Sequence, residues 1–215
     1  MAGELAFTAA ANAGSAAFVG PPDSSIHTKL KLPADTGAAG KMLAVKSANH
    51  SSTNAELEWT TVSGGISEAD QWRLTTTFAS GGTIITSNWE RVDARGSAGP
   101  LSSASGVGQS SGVFTLPSNG YWYVEFRTTC AGTDCDWVFT KILTESSSYN
   151  PVAYNRSACK DADSYAYVGS QCLLDVTDHA NQKLKFEVGA QYSIDWYGDS
   201  DYSDTSVMFI KLGDT

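Results

Sequence analysis

The sequence predicts an all-β protein, a sandwich-sized body preceded by a smaller β module, and three observations predict it. Charged residues make up only 17% of the 215 positions, far from the Glu-, Lys- and Leu-rich composition of helical domains. Apolar residues recur at alternate positions in short runs, as in Trp122-Tyr123-Val124-Glu125-Phe126 and Leu184-Lys185-Phe186-Glu187-Val188, which is the period of a half-buried strand. Between these runs stand clusters of Gly, Pro, Asn and Ser at the spacing of turns.

Charge narrows the function classes. The formal net charge is -9 and no segment concentrates Lys or Arg, so there is no footprint for phosphate neutralisation and nucleic acid is not an expected partner. No apolar run approaches the roughly 18 residues of a spanning helix, so membrane insertion is not expected. The start Met1-Ala2-Gly3-Glu4-Leu5 lacks the basic region of a secretory leader, which predicts synthesis without export.

Three parts are expected. Residues 1–25 are Ala- and Gly-rich with Leu5, Phe7, Phe18 and Val19 as the sizeable apolar groups of the first twenty; this is too little for a core and reads as an extended attachment arm. Residues 26–65 form a small β module. Ile26 to Leu32 alternates apolar with basic residues, Pro33-Ala34-Asp35-Thr36-Gly37 makes a turn, and Met42–Val45 and Ala55–Trp59 follow as further strands of a meander. About six buried apolar side chains, at about 1.5 to 3 kcal/mol each, barely offset the ordering entropy of some 35 residues. Such a module therefore needs neighbouring surface, from other copies or from a larger body. Leu32 to Gly37 with Gly40, Leu43, Asn49, Leu57 and Trp59 resembles a linker module repeated in tail fibres and other structural proteins of marine bacteriophages.

The body, residues 66–215, begins after Gly64-Gly65. A strand is expected from Asp70 through Phe78, a turn at Gly81-Gly82, a further strand from Thr83 to Val92, and a Gly/Ser-rich surface loop from Gly96 to Gly112. The run Val113-Phe114-Thr115-Leu116-Pro117-Ser118-Asn119-Gly120-Tyr121-Trp122 then joins two alternating segments through a Pro/Gly turn. Trp122, Val124 and Phe126 fall on one face; Tyr121, Tyr123, Glu125 and Arg127 fall on the other. Strands are also expected at Trp137–Leu143, Cys172–Val176, Lys183–Gly189 and Val207–Leu212. Phe114, Pro117, Gly120, Trp122 and Phe126 resemble the core strands of the C1q and tumour-necrosis-factor-like jelly roll, over about Trp72 to Leu212. That resemblance implies a compact homotrimer that works by contact.

The two resemblances together imply a phage virion protein, because a fibre-type module followed by a C1q-like head recurs in that group. The expected role is a homotrimeric capsid decoration or short head fibre on the virion surface, docked on capsid or tail proteins. A tail fibre or a lectin-like module touching a host-surface glycan is the alternative.

Site chemistry is sparse. Cys130, Cys135, Cys159 and Cys172 are even in number, which suits disulfides, either local (Cys130/Cys135 and Cys159/Cys172) or crossed between the two segments; a zinc site would want two-residue knuckles and partner histidines, which are missing. His27, His50 and His179 sit in no nucleophile or metal motif, and no Gly-x-Ser-x-Gly elbow occurs, so neither catalysis nor a cofactor is expected. Asp195, Asp199, Asp201 and Asp204 are a weak calcium candidate without EF-hand spacing, read otherwise as a solvated acidic loop. Trp196, Tyr197 and Tyr202 in that loop are the candidate contact surface, able to stack on a sugar or to pack on another subunit. Asn49-His50-Ser51 and Asn155-Arg156-Ser157 match the N-glycosylation pattern and are expected to be unmodified polar loops.

Overall fold

The computed structural model describes residues 29–31, 33–35, 37–50, 54–61, 66–92, 100–101, 106–145, 148–160 and 164–215. The expected arm with Leu5, Phe7, Phe18 and Val19, together with His27, lies outside them. The chain divides into two compact units, Met1–Gly65 and Ile66–Thr215. Every element among the described residues is a strand.

The first unit holds β1 (Lys29–Lys31), β2 (Lys41–His50) and β3 (Asn54–Thr61). β2 and β3 form an antiparallel hairpin, and β1 adds to β3 in parallel, giving the order β1-β3-β2. A meander would have placed β2 in the centre; the turn after β1 instead carries the chain past β3, so that β3 is paired on both sides. That turn is fixed by Trp59. Its indole Nε1 donates to the Asp35 carbonyl at 3.0 Å, and its ring lies against Gly37, where φ is +71° and a Cβ would come within 2.6 Å of the indole. The spacing of Asp35, Gly37 and Trp59 therefore has a physical reason: only glycine admits both that backbone conformation and the ring.

The second unit is built from eleven strands: β4 (Ala69–Leu74), β5 (Thr76–Ile84), β6 (Trp89–Arg91), β7 (Gly108–Ser110), β8 (Val113–Thr115), β9 (Gly120–Ala131), β10 (Cys135–Glu145), β11 (Tyr149–Cys159), β12 (Ala166–Val176), β13 (Lys183–Asp199) and β14 (Ser206–Gly213). One layer runs β6-β4-β14-β9-β12 and the other runs β11-β10-β13 with β5 and β8 also on β13. The layers join where the far end of β13 pairs Asp195 and Trp196 with Ala131 and Cys130 of β9. Alternation turns Trp122, Val124 and Phe126 of β9, Phe186 and Val188 of β13, and Val207 and Phe209 of β14 into one shared interior, where all are fully buried. Phe114, Phe126, Phe186 and Phe209 touch one another there, with Trp72 and Trp89 edge-on to Phe114.

Polar groups also hold this unit together. Asp70 is buried, and its carboxylate accepts from the backbone N–H of Gln71 (2.9 Å) and Val107 (2.8 Å), from Trp72 Nε1 (3.3 Å) and from Arg91 Nε (3.1 Å). Arg91 also donates to the Val107 carbonyl at 2.8 Å. This network clamps the start of the segment leading into β7, so that part of the Gly/Ser-rich stretch is anchored rather than a free surface loop.

Two other expectations change. Gly81 and Gly82 lie inside β5 rather than at a turn, with Gly82 opposite Gly189 of β13 at an irregularity of the ladder. Asn155-Arg156-Ser157 lies on β11, not in a loop.

Candidate contact surfaces

The outward side of β9 is the first surface. Register places Leu173 of β12 beside Tyr123 of β9, and Tyr123 beside Ile210 of β14, so three apolar side chains stand in one row across three strands. Leu173 is 70% exposed, and Tyr121 and Leu212 are about half exposed beside the row. Glu125, Arg127, Gln171 and Asp175 border it on the same strands. The Tyr123 hydroxyl is pushed to a higher pKa, first by loss of solvent contact and then by the Glu125 carboxylate. A contiguous apolar row with a polar rim is the usual form of a protein contact surface.

The acidic segment differs from its expectation. Trp196 is completely buried and donates from Nε1 to the Ser80 carbonyl at 3.0 Å, so it belongs to the core and cannot meet a sugar or another subunit. Its neighbours alternate away from it: Tyr197 packs edge-on against Tyr165 with centroids 5.3 Å apart, and Tyr202 is exposed. The Tyr197 hydroxyl pKa is raised by reduced hydration and by Tyr165. Asp199 spends its carboxylate on the backbone N–H groups of Asp201 and Tyr202, which is the wiring of a turn. Among the described residues no three His, Cys, Asp or Glu side chains, those of Asp195, Asp199, Asp201 and Asp204 included, stand together as a group that could hold a metal ion.

No disulfide joins the four cysteines in this structure. Cys130, Cys135 and Cys159 are buried together where β9, β10 and β11 meet, with Cys135 directly opposite Cys159. Burial, Cys159 and Cys135 push the Cys130 thiol up to about 12. Cys172 stands apart. It pairs in register with Val124, whereas Cys130 pairs with Ala166, so six residues of strand separate the two positions, or about 20 Å. Cys159 reaches the Ser164 carbonyl at the Cys130 end, which places a Cys159/Cys172 bridge well beyond disulfide range. This geometry does not fit the Cys159/Cys172 half of the local pairing expected from sequence spacing.

A second surface, missed in the sequence, lies on the outward side of β10 and β11. Trp137 and Phe139 are nearly parallel at 5.8 Å, and Phe139 meets Tyr154 at 5.5 Å. Arg156 sits over the Trp137 ring at 5.6 Å and Lys141 over Phe139 at 4.6 Å. The alternation Trp137, Phe139, Lys141 was visible, but its partners came from a segment expected to be a loop.

No protein-family model matches the chain, and no curated protein matches it in sequence. Solved structures match the body. The Eiger TNF structure from S. frugiperda has a TM-score of 0.52 at 11% identity, covering 68% of this chain and 93% of that one. Murine APRIL at pH 5.0 has a TM-score of 0.49 at 12% identity, covering 67% and 98% respectively. By its likeness to the Eiger structure, the body of the chain is a jelly roll of the tumour-necrosis-factor type, a statement about fold.

Proposed function

We propose that the protein is a homotrimeric contact module of a virion, a capsid decoration or short head fibre whose jelly-roll body projects while the N-terminal part docks. The observation that carries the trimer is the Leu173-Tyr123-Ile210 row, on the outer side of a five-strand layer, with Leu173 exposed, Tyr123 and Ile210 half-buried, and charge bordering it. A ring of identical copies buries such a surface without leaving an open end. The jelly-roll resemblance in the sequence, whose members are trimers, agrees with it. The virion setting rests on the likeness of Leu32–Gly37, Gly40, Leu43, Asn49, Leu57 and Trp59 to phage structural modules, for which the docking of the Asp35–Gly37 turn under Trp59 supplies a structural role.

Immunogold labelling of purified phage particles with an antibody to the C-terminal strand tests this setting. Labelled particles with regular spacing on the head are expected. Particles that lack the protein while the host cell contains it would overturn the virion assignment and leave the jelly roll intact.

A further inference from the structure

We propose that the outward side of β10 and β11 binds acidic polysaccharide through Arg156, with Trp137 and Tyr154 shaping the site. This goes beyond the trimeric contact module and does not depend on it. Val138, Thr140 and Ile142 of β10 point into the core, so Trp137, Phe139 and Lys141 face outward, on the side of the sandwich away from the Leu173-Tyr123-Ile210 row. β11 contributes Tyr154 opposite Lys141 and Arg156 opposite Phe139.

The geometry is that of an anion receptor with a stacking surface beside it. Phe139 lies against Gly189 of β13, where a Cβ would come within 2.3 Å of the ring; the absent side chain lets the aromatic group settle low on the sheet. The Trp137 ring holds the Arg156 guanidinium by its face, which limits the freedom that Arg156 would lose on binding. Lys141 is neutralised by Glu187 at 2.8 Å, whereas Arg156 has no carboxylate within ion-pair distance among the described residues. In a chain of net charge -9, an exposed guanidinium held on an aromatic shelf selects for a carboxylate or sulfate, which it meets with paired N–H donors. Tyr154, half exposed, offers a ring face to the polarised C–H groups of a sugar and a hydroxyl to its oxygens. Arg156 also lines a groove of about 460 Å³ between β11 and β12, but Glu125 and Gln171 line that groove as well, and the Glu125 carboxylate disfavours a polyanion there, so the acid groups are placed on the Trp137 and Tyr154 side of Arg156. An oligosaccharide carrying acid groups fits these features together; a neutral glycan would leave Arg156 unused.

The test is titration of the full chain with alginate, dextran sulfate and neutral dextran, at low and high ionic strength. Binding to at least one polyanion, absent for neutral dextran and weakened by salt, is expected. Arg156→Gln should weaken it about tenfold, on the order of one charge-assisted contact. Tyr154→Ala should weaken it by a smaller factor at low and high salt alike, because its contribution is not ionic. Lys183→Gln on β13 serves as a remote charge control and should bind as the parent does. These substitutions are on exposed or partly exposed positions, and unchanged circular dichroism would confirm that they fold. No polyanion binding by the parent, parental affinity in Arg156→Gln, or an equal loss in Lys183→Gln would each overturn the proposal. None of those results bears on subunit mass or on particle labelling.

Discussion

Thr140 Oγ1 of β10 and Ser170 Oγ of β12 meet at 2.6 Å in the buried space between the two layers. The Ser170 hydroxyl also donates to the Thr140 carbonyl at 2.9 Å. The two layers therefore share a polar fastening inside an otherwise apolar core. Ser170→Ala removes the acceptor of the Thr140 hydroxyl and leaves it unsatisfied in the interior, a loss of about 1 to 3 kcal/mol. Thr140→Val keeps the Ser170 to carbonyl bond and should cost about 1 kcal/mol or less. Urea unfolding of both variants checks the order; an equal or reversed order contradicts the wiring.

Asp70 gathers four donors, and its removal orphans several at once. Asp70→Ala leaves the Arg91 guanidinium and the Val107 N–H without their acceptor. A drop of about 3 to 5 kcal/mol is expected for breaking such a partly buried ion pair. Amide hydrogen exchange should show Val107 losing protection first, because its N–H is bonded to the deleted carboxylate. Retention of that protection would show that the segment is held by other contacts.

The sequence made the core strands legible where β9 and the first half of β13 alternate between inward apolar and outward residues, and an interior face is all that alternation encodes. β11 was hidden for the same reason. It is the outermost strand of its layer, most of its side chains are exposed, and it carries Pro151, a residue that sheets tolerate at edges and bulges; the ladder is indeed irregular next to it, between Ile142 and Leu143 of β10. Arg156 could not be matched to Trp137, since that contact depends on the β10–β11 register. Trp196 misled in the opposite sense. Its acidic neighbours resemble a solvated loop, yet it lies on a long strand whose alternate residues face the core, and it is the strand period that decides burial. The cysteines were grouped by sequence distance, whereas the strands bring Cys159 to Cys130 and Cys135 and carry Cys172 away.

Gly112 has φ of +74°, and a Cβ there would meet the Ile85 carbonyl oxygen at 2.3 Å. Because the obstacle is backbone, no side-chain rotation relieves it. Gly112→Ala should destabilise the body by about 1 to 3 kcal/mol. Gly40, also at positive φ but in open space, meets only the conformational penalty, so Gly40→Ala should cost about 1 to 2 kcal/mol in its own unit. Thermal unfolding of the two variants compares them; a Gly112→Ala protein as stable as the parent contradicts the packing.

The buried thiols predict how stability falls in alkali. Cys130 is raised from an ordinary 9.0 to about 12 by burial and the neighbouring cysteines, and burial raises Cys172 to about 11. A raised pKa means that the folded state binds the proton more tightly than the unfolded state. Their contribution is complete below pH 9 and disappears progressively as pH rises toward the folded values. Urea midpoints measured across that range should fall, and Cys130→Ala should flatten the fall. An unchanged slope in Cys130→Ala would show that this thiol does not sense the alkaline transition.

The central claim is that the Leu173-Tyr123-Ile210 row closes a ring of three copies. Sedimentation equilibrium of the full chain, beside Leu173→Glu, tests it most directly. A mass three times that of the chain is expected for the parent, with the variant shifted to monomer because a carboxylate cannot be buried unpaired in that row. A monomeric parent, or a variant that remains trimeric, would contradict the account.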